Sequence, residues 1–221
     1  MKKKLVKTTL HLFGSTNAIA SKVKSAVGRL KVSQYDLNQF MEFGAEEVLL
    51  NLDQDVNHVI LYSWGVLNAQ RLIEQDKQTT WNSVYLNFIL PARLLERLNR
   101  SNVRFKFIYI SSESAVKGSY DAVYAMSKAA MERFIREIRI NECGSSCLGL
   151  APSMVEDCGM TVRRVDQENV RRAADEHPKK RLLYAEEIAE LVSWLILGGT
   201  DYLTNTTIEL NGGKFSRMIY K

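Results

Sequence analysis

The chain has 221 residues, 46% of them apolar and 25% charged, with a formal net charge of +5 at pH 7. That balance excludes a disordered or fibrous protein and is sufficient to close one core of ordinary size without disulfide or metal staples. The positive charge is split between residues 1–7 and 163–181 and does not run along one face with interleaved aromatics, so it reads as solvated side chains and speaks against a nucleic-acid binder.

Residues 1–7 read as a charged tail in front of a strand. A signal peptide is not expected, because Lys7, Thr8 and Thr9 interrupt the apolar stretch and no small-residue cleavage site follows. No segment approaches the about 18 consecutive apolar residues of a spanning helix, so no membrane partner is expected. Cys143, Cys147 and Cys158 form no CxxC pair; neither a disulfide framework nor a zinc site is indicated, no metal is expected, and a reducing, cytoplasmic setting follows.

In chain order, strands are predicted at residues 8–13, 30–33, 58–63, 104–111, 147–151 and 206–210. Helical periodicity fills the gaps, with long amphipathic helices at 79–100 and 122–142 and a further one at 185–197. Strand and helix in alternation predict an α/β protein: a single Rossmann-type, doubly wound and mostly parallel sheet flanked by helices, with residues 1–221 as one domain. Between Gly14 and Asp36 there is room for only one helix and one strand, where a full dinucleotide half needs a further pair, so the N-terminal half is truncated.

The segment KFIYISSESAVKGSYDAVYAMSK, residues 106–128, is a buried strand ending in two serines, a polar connection, and a helix carrying Tyr124 and Lys128. The i, i+4 spacing stacks those two side chains on one helix face. An ammonium beside a phenol favours the phenolate and draws the tyrosine pKa down, which makes it a proton carrier. A serine hydroxyl at the strand's carboxyl end can hydrogen-bond a substrate oxygen whose charge changes during reaction. Alone, such a pair is a common exposed helix motif; its position after Ile-Ser-Ser, at the edge where open parallel sheets place ligands, is what points to chemistry.

Strand, Ser-Ser and Tyr-x-x-x-Ser-Lys in this order resemble the active-site segment of the short-chain dehydrogenase/reductase family. TTWNSVYLNFILPARLLERL resembles the family's long interface helix, LGLAPSMVED its proline-glycine motif, LLYAEEIAELVSWLIL the following helix, and TIELNGG the closing strand and glycine pair. The resemblance implies an NAD(P)-binding domain and a hydride exchange that interconverts a carbonyl and an alcohol. It makes Tyr124 the general acid/base, with Lys128 lowering its pKa and bonding the nicotinamide ribose. Ser112 polarises the substrate, and Asn87, a helix-bending asparagine, holds a proton-relay water. Ser111 and Ser114 remain alternatives to Ser112, which precedes Tyr124 by one position fewer than usual.

On the same resemblance, Gly14, Ser15, Asn17 and Ile19 of FGSTNAIA form the phosphate loop, with Ala18 and Ala20 where the family has glycines. Asp36 meets adenine, Ser63, Trp64 and Gly65 follow the fourth strand of the family, and Pro152, Ser153 and Val155 face the nicotinamide. Tyr62 or Trp64 is expected to line or crowd the adenosine side, and Asp157, in place of a threonine, to lie near phosphate. NADP is preferred over NAD, with Arg29 or Lys31 available to a 2′-phosphate. Residues 156–181 occupy the place of the family's substrate lid; Arg163, Arg164, Arg171 and Arg172 are a solvated helix or the contact of an anionic small-molecule substrate. A homodimer or homotetramer is expected, and His11, His58 and His177 are assigned structural roles. The alternative function is a catalytically silent binding or regulatory subunit that kept the fold.

Overall fold

The structure is a computed structural model, and it describes residues 7–14, 16–35, 49, 52–164 and 166–216. Six strands form one sheet: β1 (Lys7–Phe13), β2 (Lys31–Tyr35), β3 (Val56–Tyr62), β4 (Phe105–Ile110), β5 (Ser146–Pro152) and β6 (Thr206–Leu210), in the spatial order β2-β1-β3-β4-β5-β6. Every pairing is parallel. The central strands read as near-continuous apolar runs because helices cover both of their faces.

Between Gly14 and Asp36 the chain does form one helix, α1 (Ala18–Ala26), and then β2, which pairs directly with β1. The remaining helices are α2 (Lys77–Val84), α3 (Leu90–Arg100), the single turn α4 (Ser114–Lys117), α5 (Ala122–Glu137), another single turn α6 (Gly159–Val162), α7 (Gln167–Glu176) and α8 (Ala185–Leu197). Helix α8 has the expected bounds. Helix α5 stops five residues short of the expected end: Ile138 is already extended, and Asn205 donates to the carbonyls of Ile135 and Ile138, which satisfies the end of the helix there.

The helix predicted for 79–100 begins at Lys77, where Asp76 caps the Thr79 N–H at 2.7 Å, and is interrupted by a π-turn, Tyr85–Ile89. The π-turn has a physical cause. Two carbonyls released from the helical ladder are captured by tyrosines from the sheet, Leu86 by Tyr62 Oη at 2.6 Å and Asn87 by Tyr109 Oη at 2.6 Å.

Alternation along the strands divides the core. Leu10, Leu12, Leu61, Ile108, Ile110, Leu148 and Leu150 pack under α1 and α8. Phe13, Ile60, Tyr62, Phe105, Phe107 and Tyr109 pack under α2, α3 and α5. Each fully buried side chain of this size contributes about 1.5–3 kcal/mol of transfer free energy. The register sets Phe13 beside Tyr62 and Tyr62 beside Tyr109, so Gly14, Ser63 and Ser111 all emerge at the same carboxyl edge. Strand β1 lies between β2 and β3, and the reversal of strand order there opens a crevice at that edge.

The three histidines are structural. His58 Nε2 donates to the Asp53 carbonyl at 2.9 Å, which leaves its Nδ1 to accept from His11 Nε2 at 3.0 Å. The His11 Nδ1 lone pair then accepts the Tyr35 hydroxyl at 2.8 Å. Burial, with the charges of His58 and Lys31 adding to it, lowers the His11 pKa to about 4. His177 is buried and accepts the Lys179 N–H.

Candidate active site

Helix α5 is set by Asp121, a fully buried N-cap whose Oδ1 accepts the Tyr124 N–H at 3.1 Å and whose Oδ2 accepts the Asn68 N–H at 2.7 Å. The cap ties the start of the helix to the segment after β3. Tyr124 and Lys128 then project from one face onto the end of β4. Tyr124 is 4% exposed and its hydroxyl lies near the Ser112 side chain, which favours the ionised phenol. Lys128 is 2% exposed; its Nζ donates to the Ile110 carbonyl at 2.8 Å and lies 4.5 Å from the Tyr109 ring centroid.

The choice among the serines is made by their partners. Ser111 donates to Glu132 at 2.5 Å and is buried, so its hydroxyl is committed inside the fold. Ser112 lies near Tyr124 and faces the cleft, while Ser114 contributes its backbone N–H to Ser112 Oγ at 3.1 Å.

The electrostatics correct one expectation. Burial pushes the Tyr124 pKa up to about 12, with the Ser112 hydrogen bond opposing and the Asp121 charge adding to it. Burial likewise brings Lys128 down to about 7, opposed by Glu132. The ammonium does not draw the phenol down, because its Nζ is turned toward Ile110 and lies 5.7 Å from the Tyr124 ring centroid, and desolvation outweighs attraction.

Asn87 is fully buried, and its Nδ2 donates to the carbonyls of Val66 and Ser83 at 2.8 and 2.9 Å, holding the strand-end segment beside it. A Cβ on Gly65 would come within 3.4 Å of Asn87 Oδ1 and 3.5 Å of Lys128 Nζ, so Gly65 marks a close approach of backbone to both. The Asn87 main-chain carbonyl accepts the Tyr109 hydroxyl at 2.6 Å.

At the other end of the crevice Gly14 turns with φ +97°, and a Cβ there would lie 2.8 Å from Ser63 Oγ and from Trp64 Cδ1. Asn17 caps α1 by accepting the Ala20 N–H at 2.8 Å, and its Nδ2 donates to Ser63 O and Oγ. Asn17 and Ser63 therefore spend their side chains on the turn itself, and the N–H groups of Ala18 and Ile19 are left without a partner among the described residues. Trp64 and Tyr62 do not wall the crevice. Trp64 stands edge-on to Phe13 and Tyr62 in the core, and Tyr62 is fully buried. Asp157 does not face a phosphate position either; its Oδ1 accepts the Ala185 N–H at 2.8 Å at the start of α8. Ser15 and Asp36 lie outside the described residues.

A cleft of about 800 Å³ joins the two ends, lined by Ile19, Ser112, Tyr124, Pro152, Ser153, Val155 and Met160, with Lys117 and Arg172 on its wall. A second, of about 910 Å³, shares Leu67, Tyr120, Met160, Arg164 and Asn169 with it and is bounded by Gly65, Asn68 and Arg163. Arg164 is held by Asp166 through its Nε at 2.8 Å. Among the described residues no cluster of His, Cys, Asp and Glu could hold a metal ion.

Sequence reasoning missed Asp121 and Glu132 as parts of this site. Both had a signal: Asp121 stands three residues before Tyr124, the N-cap spacing, and Glu132 continues the four-residue step from Tyr124 and Lys128.

No protein-family model matches the chain. It is 26% identical over 215 residues to the uncharacterized oxidoreductase YmfI of Bacillus subtilis, covering 92% of this chain and 86% of that protein. It is also 26% identical over 164 residues to the 3-oxoacyl-[acyl-carrier-protein] reductase FabG of Pseudomonas aeruginosa, covering 71% of this chain and 65% of that one. In fold it is similar to an actinorhodin polyketide ketoreductase solved with NADPH, with a TM-score of 0.77, 16% identity, and coverage of 97% of this chain and 99% of that one. In sequence it is similar to these oxidoreductases, and in fold to short-chain dehydrogenases/reductases.

Proposed function

We propose that this protein is an NADP(H)-dependent reductase that converts a carbonyl to an alcohol, with the whole chain serving as one cofactor-binding domain. The observation that carries this reading is the meeting of Tyr124, Ser112 and Lys128 at the end of β4, in a cleft that runs to the N-terminus of α1.

The residues present fit a dinucleotide. Gly14, which tolerates no Cβ, and the free N–H groups of Ala18 and Ile19 would receive the pyrophosphate at the positive end of α1. Ile19, Pro152, Ser153 and Val155 would cover the nicotinamide, and the Gly65 backbone and Lys128 would approach the ribose beside it. When bound, the nicotinamide supplies a hydride to the substrate carbon.

The chain's own part is the proton. Burial keeps the Tyr124 phenol protonated at neutral pH, the form needed to donate its O–H to a carbonyl oxygen gaining charge. Ser112 would donate a second hydrogen bond to that oxygen, stabilising the developing alkoxide. The Lys128 ammonium lies beneath and would stabilise the phenolate left behind. Asn87 would act by holding the Gly65–Val66 backbone against Lys128.

The substrate is a small anionic molecule or an acyl group on an acidic carrier. Support comes from Lys117, Arg163 and Arg172 around the two clefts and from the relative that reduces a carrier-bound 3-oxoacyl group. The exposed Lys31 at the start of β2, with Arg29 before it, would suit a 2′-phosphate. The protein works as a homodimer or homotetramer in a reducing, cytoplasmic compartment, which suits its three free cysteines. No helix among the described residues is long and apolar enough to cross a membrane.

Thermal melting with NADPH and NADH tests the reading. A nucleotide at a hundred times its Kd should stabilise the fold by about 2.7 kcal/mol. No shift with either at millimolar concentration would favour the silent-subunit alternative.

A further inference from the structure

Helix α5 grips the end of β4 at three consecutive residues. Tyr124 lies against Ser112, Lys128 bonds the Ile110 carbonyl at 2.8 Å, and Glu132 accepts the Ser111 hydroxyl at 2.5 Å. The three helix residues are spaced by four and so lie along one face. Glu132 is only 6% exposed and Ser111 only 3%, and a carboxylate is not buried there without a reason, because its desolvation is costly.

The chemistry assigned above to Tyr124, Ser112 and Lys128 does not use Glu132. We propose that Glu132 is a positioning residue of this site: it holds Ser111 inside the fold so that Ser112 faces Tyr124, and its carboxylate stabilises the Lys128 ammonium one helical turn away. The proposal rests on the reading of Tyr124 and Lys128 as the proton-handling pair.

Two features support it. Neighbouring serines of one extended strand end point to opposite sides, so committing one hydroxyl to the helix delivers the other to the cleft. Lys128 is buried, and among the described residues Glu132 is the carboxylate that opposes the loss of its proton. The surroundings of Glu132 are mixed. On α5 Lys128 and Arg136 favour its ionised form, as does the Ser111 hydrogen bond, while burial and Glu209 of β6 disfavour it, and Tyr109 of β4 feels its charge.

The test is the titration of Lys128 followed by NMR in lysine-labelled protein, assigned with Lys128→Arg, alongside melting and turnover. Glu132→Gln keeps an oxygen for Ser111 and removes the charge. It should leave melting close to wild type and lower the Lys128 midpoint by about one pH unit, a tenfold weaker hold on the proton. The alkaline limb of kcat should move the same way, with KM changing less than kcat. Glu132→Asp should restore the midpoint, and Ser111→Ala, which keeps the charge, should not move it. An unmoved midpoint in Glu132→Gln, or an equal movement in Ser111→Ala, overturns the proposal; should Glu132→Gln fail to fold, a midpoint in Glu132→Asp lowered by a full unit does so. These midpoints are read without substrate or cofactor. A wild-type protein whose melting ignores NADPH would therefore sink the enzymatic reading separately.

Discussion

Lys128 gives the sharpest quantitative prediction, because its side chain is buried while its unfolded counterpart is solvated. In the unfolded chain the ammonium titrates at about 10.5, and in the fold at about 7. Between those values the unfolded state holds a proton that the folded state has lost, so stability must rise with pH, by about 1.4 kcal/mol per unit where the difference is complete. Below pH 7 both states are protonated and the slope vanishes. Integrated from pH 7 to pH 9, allowing for half-protonation at the lower end, the gain is about 2 kcal/mol. Urea unfolding at pH 7 and 9 should show the gain in the wild type, and Lys128→Met should flatten it by that amount. Equal slopes in the two proteins would refute the placement of Lys128 beneath the cleft. Lys106, lowered by burial, and the thiols of Cys147 and Cys158, pushed up to about 11 by burial, are common to both proteins and cancel in the comparison.

Other expectations follow from the same geometry. Tyr124→Phe should cut turnover about a hundredfold or more, while Tyr120→Phe, whose parent side chain is 59% exposed, should keep most activity; steady-state assays that reverse this order displace the site assignment. Gly14→Ala forces a side chain into a φ of +97° and against Ser63 and Trp64, so it should cost about 1–2 kcal/mol from backbone strain alone and abolish stabilisation by NADPH in a melting assay. His11 is held neutral with its pKa lowered to about 4 from 6.5, so stability should fall by about 3 kcal/mol as pH drops from 6.5 to 4, and His11→Phe should remove that loss in acid unfolding curves. Light scattering should return a dimer or tetramer, since Trp81 of α2 and Met126 of α5 are exposed apolar side chains on the long helices; a stable 25.2 kDa monomer would count against assembly.

Much of this protein was legible because the informative signals are local. The six strands, the shortened front half and the bounds of α8 follow from runs of apolar residues and the period at which they recur. The stacking of Tyr124 on Lys128 follows from helical spacing alone, and the demand for glycine at position 14 from the tightness of a strand-to-helix turn. A bend near Asn87 was legible, but not the hydroxyls of Tyr62 and Tyr109 that arrive from other strands to take the carbonyls freed at the π-turn 85–89. The early end of α5 depends on Asn205, about 70 residues away.

By itself, then, the sequence determined the alternating architecture and the placing of Tyr124 and Lys128 on one helix face, both of which are short-range consequences of backbone geometry. Only the tertiary structure decided which serine faces the tyrosine, where Trp64 and Asp157 direct their side chains, and whether the lysine or the surrounding burial governs the phenol. Those outcomes depend on desolvation and on hydrogen-bond partners brought together from distant parts of the chain, and no spacing rule within one segment carries that information.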